Sequence, residues 1–171
     1  MDVMRFHILM LVTLLSCCFL KADETAMAKS VAAKISQKEP GSRHFTIEFT
    51  NLTEEEITLI RPLDGSLWNW HYPHYDFQVT DQKGNIVERP SRCGISGLWA
   101  DTEWPTDYLF VIQPGKSMMV AAYLPHHVPK DGEYHVAFRY VWKASEDQAS
   151  LPASVVIGTI KAEPIRVRID R

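Results

Sequence analysis

The sequence predicts an all-β domain, a sandwich of about seven to eight short antiparallel strands. Three observations predict it. Apolar residues recur with a period of two along most of the chain. Turn signals separate these runs at short, regular intervals. No stretch after the first twenty residues carries a convincing helical apolar stripe.

The strands can be read in order. In "HFTIEFTNL" Phe45, Ile47 and Phe49 alternate with Thr46, Glu48 and Thr50, the pattern of a half-buried strand. "NLTEEE" is a turn, and Ile57 to Arg61 is the second strand. Tyr75, Phe77 and Val79 form the inward row of the third. "DQKGN" is a hairpin turn in which Gly84 is free to take positive φ. Residues 86–90 form a short strand stopped by Pro90. Residues 107–112 and 117–124 follow, joined by Gln113-Pro114-Gly115-Lys116, which suits a type II turn. Residues 134–142 place Tyr134, Val136, Phe138, Tyr140 and Trp142 on one face. The last strand is 165–169, with Arg166 and Arg168 outward. "SEDQASLPAS" (145–154) reads as a loop.

The chain opens with a targeting segment. Ile8 to Leu20 is an apolar run of signal-peptide length, too short to span a bilayer comfortably. Residues 1–22 are therefore expected to be a leader. Two cleavage readings compete. "LLSC" resembles a lipobox, which would make Cys17 the acylated N-terminus. Alternatively, ordinary cleavage follows Ala22 or Ala28. Residues 23–43 are polar, alanine-rich and closed by Pro40-Gly41-Ser42, the composition of a tether. Residues 44–171 are then the sandwich. The expected compartment is the periplasm or, as a lipoprotein, the outer membrane, with secretion as the alternative. The membrane is reached only through the lipid on Cys17.

Charge and cysteine usage narrow the function. The net charge of −3 is mild and the basic residues are scattered, so no nucleic-acid footprint is present. The three cysteines are Cys17, Cys18 and Cys93. The mature domain holds only Cys93 and cannot form an internal disulfide; such a residue is commonly a small buried hydrophobe. There is no Gly-x-Ser-x-Gly, His-Glu-x-x-His, Cys-x-x-Cys or phosphate-cradling glycine loop. The domain is expected to be non-catalytic. Asn51-Leu52-Thr53 is a glycosylation sequon.

The candidate site comes from strand direction. If successive strands alternate up and down, the connections 62–74, 91–107 and 125–133 share one end. They carry Trp68, Trp70, Tyr72, Trp99 and Trp104, an aromatic surface for binding an envelope protein or a glycan. Alternatively, these aromatics fold down and plug the sandwich. The same loops carry His71, His74, His126 and His127, which would bind Zn or Cu through imidazole if they converge. No other cofactor is implied.

Gly132 two residues before Tyr134, at the start of a long strand, matches a tyrosine corner, in which the phenol hydrogen-bonds backbone a few residues upstream. With "FTIEFTNLTEEEITL", "YDFQVTDQKGNIV" and "IQPGKS … DGEYHVAFRY", this resembles immunoglobulin-like bacterial modules. The pattern is similar to the intracellular proteinase inhibitor family of bacilli. It is also similar to the non-catalytic domain preceding the catalytic domain of peptidyl-Lys metallopeptidases. The resemblance covers residues 44–169 and implies an immunoglobulin-like sandwich. This chain departs from it in its leader and its aromatic insertion (91–107), so no inhibitory residue carries over.

Overall fold

The computed structural model describes residues 30–62, 74–88, 109–142 and 152–171. The leader, Cys17, Cys93, Trp68, Trp70, His71, Tyr72, Trp99 and Trp104 lie outside them. The described residues form eight strands: β1 (Val31–Gln37), β2 (His44–Asn51), β3 (Ile57–Ile60), β4 (Tyr75–Asp81), β5 (Leu109–Ile112), β6 (Ser117–Tyr123), β7 (Gly132–Trp142) and β8 (Gly158–Ile169). Six pair in the order β4-β7-β8-β1-β2-β6, and β3 pairs with β5 in a second sheet. The architecture is the expected all-β sandwich.

The inward rows read from the sequence fill the space between the sheets. Phe45, Ile47 and Phe49 of β2 lie alongside Tyr75, Phe77 and Val79 of β4 and Val136, Phe138 and Tyr140 of β7, all buried. Leu59, Ile60, Phe110 and Ile112 close the core from the second sheet. Phe49 is central: its ring lies 5.8 Å from Tyr140 and 6.3 Å from Phe110, linking the two layers. Two tyrosines also grip one peptide unit. The Tyr75 hydroxyl donates to the Ile60 carbonyl at 2.6 Å, and the Tyr140 hydroxyl accepts from the Ile60 N–H at 3.3 Å. Burial raises the Tyr140 phenol above its ordinary range. The tyrosine corner is present: the Tyr134 hydroxyl donates to the Lys130 carbonyl at 2.7 Å.

Four expectations are corrected. The segment expected as a tether contains β1, which pairs with β2 along its whole length and lies inside the sheet. Its inward residues, Val31 and Ile35, are buried. The six-stranded sheet is not purely antiparallel, because β1 runs parallel to β8. Of the segment 86–90, expected as a strand, the described residues 86–88 form no strand, and 89–90 lie outside the described residues. Ile86 makes an isolated bridge to Thr80, and the Val87 N–H bonds the Val79 carbonyl at 2.9 Å. Finally, β8 begins at Gly158, well before 165. Its pairing with β7 shifts by one residue between Val136 and Phe138, which leaves an extra residue at Glu163-Pro164. The buried row therefore changes phase, from Ile160 and Ala162 to Val167 and Ile169. A proline, which has no N–H to give a ladder, is accommodated there.

Candidate functional site

Strand directions decide which loops meet. Following the ladders from β2, strand β7 runs the same way as β2, whereas β4, β6 and β8 run the opposite way. The start of β4 therefore lies at the end of the sheet where β7 finishes. The loop between β6 and β7 lies at the other end. The expectation that 62–74 and 125–133 share one end is overturned at His74. A connection as long as 62–74 need not reverse the chain as a short hairpin does.

His74 shows the consequence. Its Nδ1 lies 2.9 Å from the Val141 carbonyl, and its ring stacks on Trp142 at 4.7 Å. Burial pushes its pKa below the ordinary histidine value, opposed by the hydrogen bond to Val141. His126 and His127 lie at the far end of β7, which is eleven residues long, or roughly 30 Å away along the strand. His74 therefore does not converge with His126 and His127, His71 lies outside the described residues, and no cluster of three or more metal-ligating side chains occurs among the described residues.

The end that carries His126 and His127 holds a different site. The Leu124 N–H donates to the Arg43 carbonyl at 2.9 Å, fixing the exit of β6 beside the entry to β2. Arg43 then lies with its guanidinium carbon 5.2 Å from the centre of the Tyr123 ring. His44 packs edge-on against the same ring at 5.2 Å. The Nη1 of Arg43 is 3.5 Å from the His126 carbonyl and 3.4 Å from His127 Nδ1, both long contacts. His126 is buried and His127 is exposed.

Asp170 approaches from β8. Its N–H donates to the Gly41 carbonyl at 2.9 Å, and its side chain crosses the bare face of Gly41. Gly41 has φ +85° and no room for a Cβ against that carboxylate, so only glycine suits the position. The carboxylate is already engaged, accepting from Arg168 Nε at 2.9 Å, and this partner raises the Arg168 pKa. The Arg171 N–H donates to Asp131 Oδ1 at 2.8 Å. Between these groups opens a cleft of about 390 Å³ lined by Arg43, His127, Val128, Pro129, Asp170 and Arg171.

This lining offers two guanidiniums, one imidazole and one carboxylate that is already paired. Arg43 makes no ion pair among the described residues. Among the described residues, the lining of the cleft holds no hydroxyl or thiol nucleophile. Its chemistry suits holding an anionic group beside an aromatic ring. Sequence reasoning found His126 and His127 but missed Arg43 and Tyr123. Arg43 falls in the segment whose composition reads as a tether, and Tyr123 reaches it only through the pairing of His44 with Tyr123. Arg171 and Asp170 follow the last strand and gave no signal. The sequence matches no protein-family model, and no curated protein matches it.

Proposed function

We propose that this protein is a non-catalytic, exported binding or accessory module of the cell envelope, built on an immunoglobulin-like sandwich. It holds a carboxylate of an envelope protein or glycan in the cleft around Arg43. The observation that carries this reading is the Arg43 guanidinium. It lies over Tyr123, beside exposed His127, at the mouth of a cleft, with no ion pair among the described residues. A guanidinium resting on an aromatic face presents its N–H groups for a bidentate anion. The tyrosine corner and the hairpins at 81–85 and 113–116 support the immunoglobulin-like reading. The leader at 1–22, with lipidation of Cys17 as one cleavage outcome, supports export. Trp68, Trp70, Tyr72, Trp99 and Trp104 are proposed as further binding aromatics independent of that cleft, since the segment 62–74 enters β4 at the opposite end of the sheet.

The test is an NMR titration with an oligogalacturonate and, separately, an oligoglutamate. Shifts should concentrate at Arg43, Tyr123 and His127. Arg43→Gln should weaken binding about tenfold, the weight of one charge-assisted hydrogen bond. Shifts spread elsewhere, or affinity unchanged by the substitution, would sink the reading.

A further inference from the structure

The two edges of the six-stranded sheet are treated differently. At one edge, β4 is guarded by its own return segment: the Asp81 N–H bonds the Asn85 carbonyl at 2.9 Å and the Val87 N–H bonds the Val79 carbonyl at 2.9 Å. At the other edge, β6 has β2 on one side and no described strand on the other.

The backbone of β6 presents its polar groups outward in a regular series. The Leu124 N–H and the Lys116 carbonyl both bond toward β2, to Arg43 and Asn51. In an antiparallel ladder the N–H and C=O of one residue point the same way, and the direction alternates along the strand. Even-numbered residues of β6 therefore face β2. Ser117, Met119, Ala121 and Tyr123 direct theirs to the open side. None of these four has a further backbone bond among the described residues. The ladder to β2 shows no bulge. The strand "SMMVAAY" contains no proline and no charge, the usual devices that blunt an edge. Met119 is 67% exposed.

We propose that β6 pairs antiparallel with β6 of a second copy of this chain, about a two-fold axis at Val120. The strand is self-complementary in that register. Ser117 meets Tyr123, Met118 meets Ala122, and Met119 meets Ala121, so each large side chain opposes a small one. Val120 meets itself. The outward residues meet outward residues, and each such pair exchanges two backbone hydrogen bonds. No charge is buried, and the contact is isologous and closes on itself. The result is a continuous sheet through two molecules, the strand-addition mode applied to like partners.

Sedimentation velocity of the full chain over a concentration series tests this, alongside hydrogen exchange. The mass should rise toward twice the monomer, and the Met119 and Ala121 amides should gain protection in parallel. Ala121→Pro removes an outward N–H and should return the protein to monomer. Ala121→Lys, at an exposed outer position, should do the same and covers the case in which the proline variant does not fold. A monomer at all concentrations overturns the proposal. If its Met119 and Ala121 amides are already protected, a segment of the same chain covers the edge. If they exchange freely, the edge serves a different partner. A dimer unaffected by Ala121→Lys also overturns it.

Discussion

Asn51 ends β2 with its side chain turned inward and 0% exposed. Its Nδ2 donates to the Glu55 carbonyl at 2.7 Å and the Ile112 carbonyl at 3.0 Å. Its Oδ1 accepts from the Thr53 N–H at 2.9 Å and the Thr53 hydroxyl at 2.7 Å. Its backbone meets the other turn, with the Gly115 N–H donating to its carbonyl at 3.2 Å. One side chain thus holds the 52–56 turn and ties it to β5 in the second sheet. The sequon at this position is consequently closed, because the nitrogen that would carry a glycan is buried and spent. Asn51→Ala strands a buried carbonyl and an N–H, and should cost about 1–3 kcal/mol in urea denaturation. Thr53→Ala should cost less, since it removes one half-buried hydroxyl and leaves the Asn51 side-chain bonds to Glu55, Ile112 and the Thr53 N–H in place. Equal losses would contradict this account of Asn51.

At the scale of elements, β1 sits between β8 and β2, so removing it splits the sheet. A chain beginning at Ser42 should show no cooperative thermal transition by circular dichroism, whereas one beginning at Ser30 should melt cooperatively. Equal melting would restore the tether reading. Strands β2, β4 and β7 were legible in the sequence because each carries a long row of large apolar residues on one side, and β6 because the Gln113–Lys116 turn signal opens an uninterrupted uncharged run. Strand β1 was not, because "VAAKISQ" offers only Val31 and Ile35 as large apolar residues, with Ala33 between them. Its flanks resemble a linker in composition. The first half of β8 was hidden by Pro164 and by the change of phase at the bulge. The tyrosine corner was legible because its spacing is local. The Arg43 cleft was not, because it depends on the β2–β6 register and on Asp170 crossing Gly41, neither of which is local.

For the molecule as a whole, the buried His74 ring gives folding a pH dependence. In the unfolded chain it titrates near the ordinary value of 6.5, while burial holds it lower in the folded state. The unfolded state therefore binds the proton more readily. The stability that neutral His74 contributes is complete above the unfolded value and is lost as pH falls from there through the folded value. Asp81, held below the ordinary carboxylate range by the Asn85 side chain, adds its own loss only at more acid pH. The urea midpoint should drop between about pH 7.5 and about 5.5 in the natural protein, and drop less in His74→Gln. Parallel declines in both would assign the effect to other groups.

The position of β8 has a temporal consequence. It is the strand that joins β4-β7 to β1-β2-β6, and its partners β1 and β7 come from distant parts of the chain. Until residues 158–169 are synthesised, the large sheet exists only as two fragments with open edges and half-covered cores. Joining them requires pairing between strands distant in sequence, and such non-local closure is slow. A growing polypeptide of this sequence therefore lacks a continuous large sheet until residues 158–169 are made. The order of synthesis thus sets the order of assembly, with the two half-sheets made first and the strand that fuses them made after both.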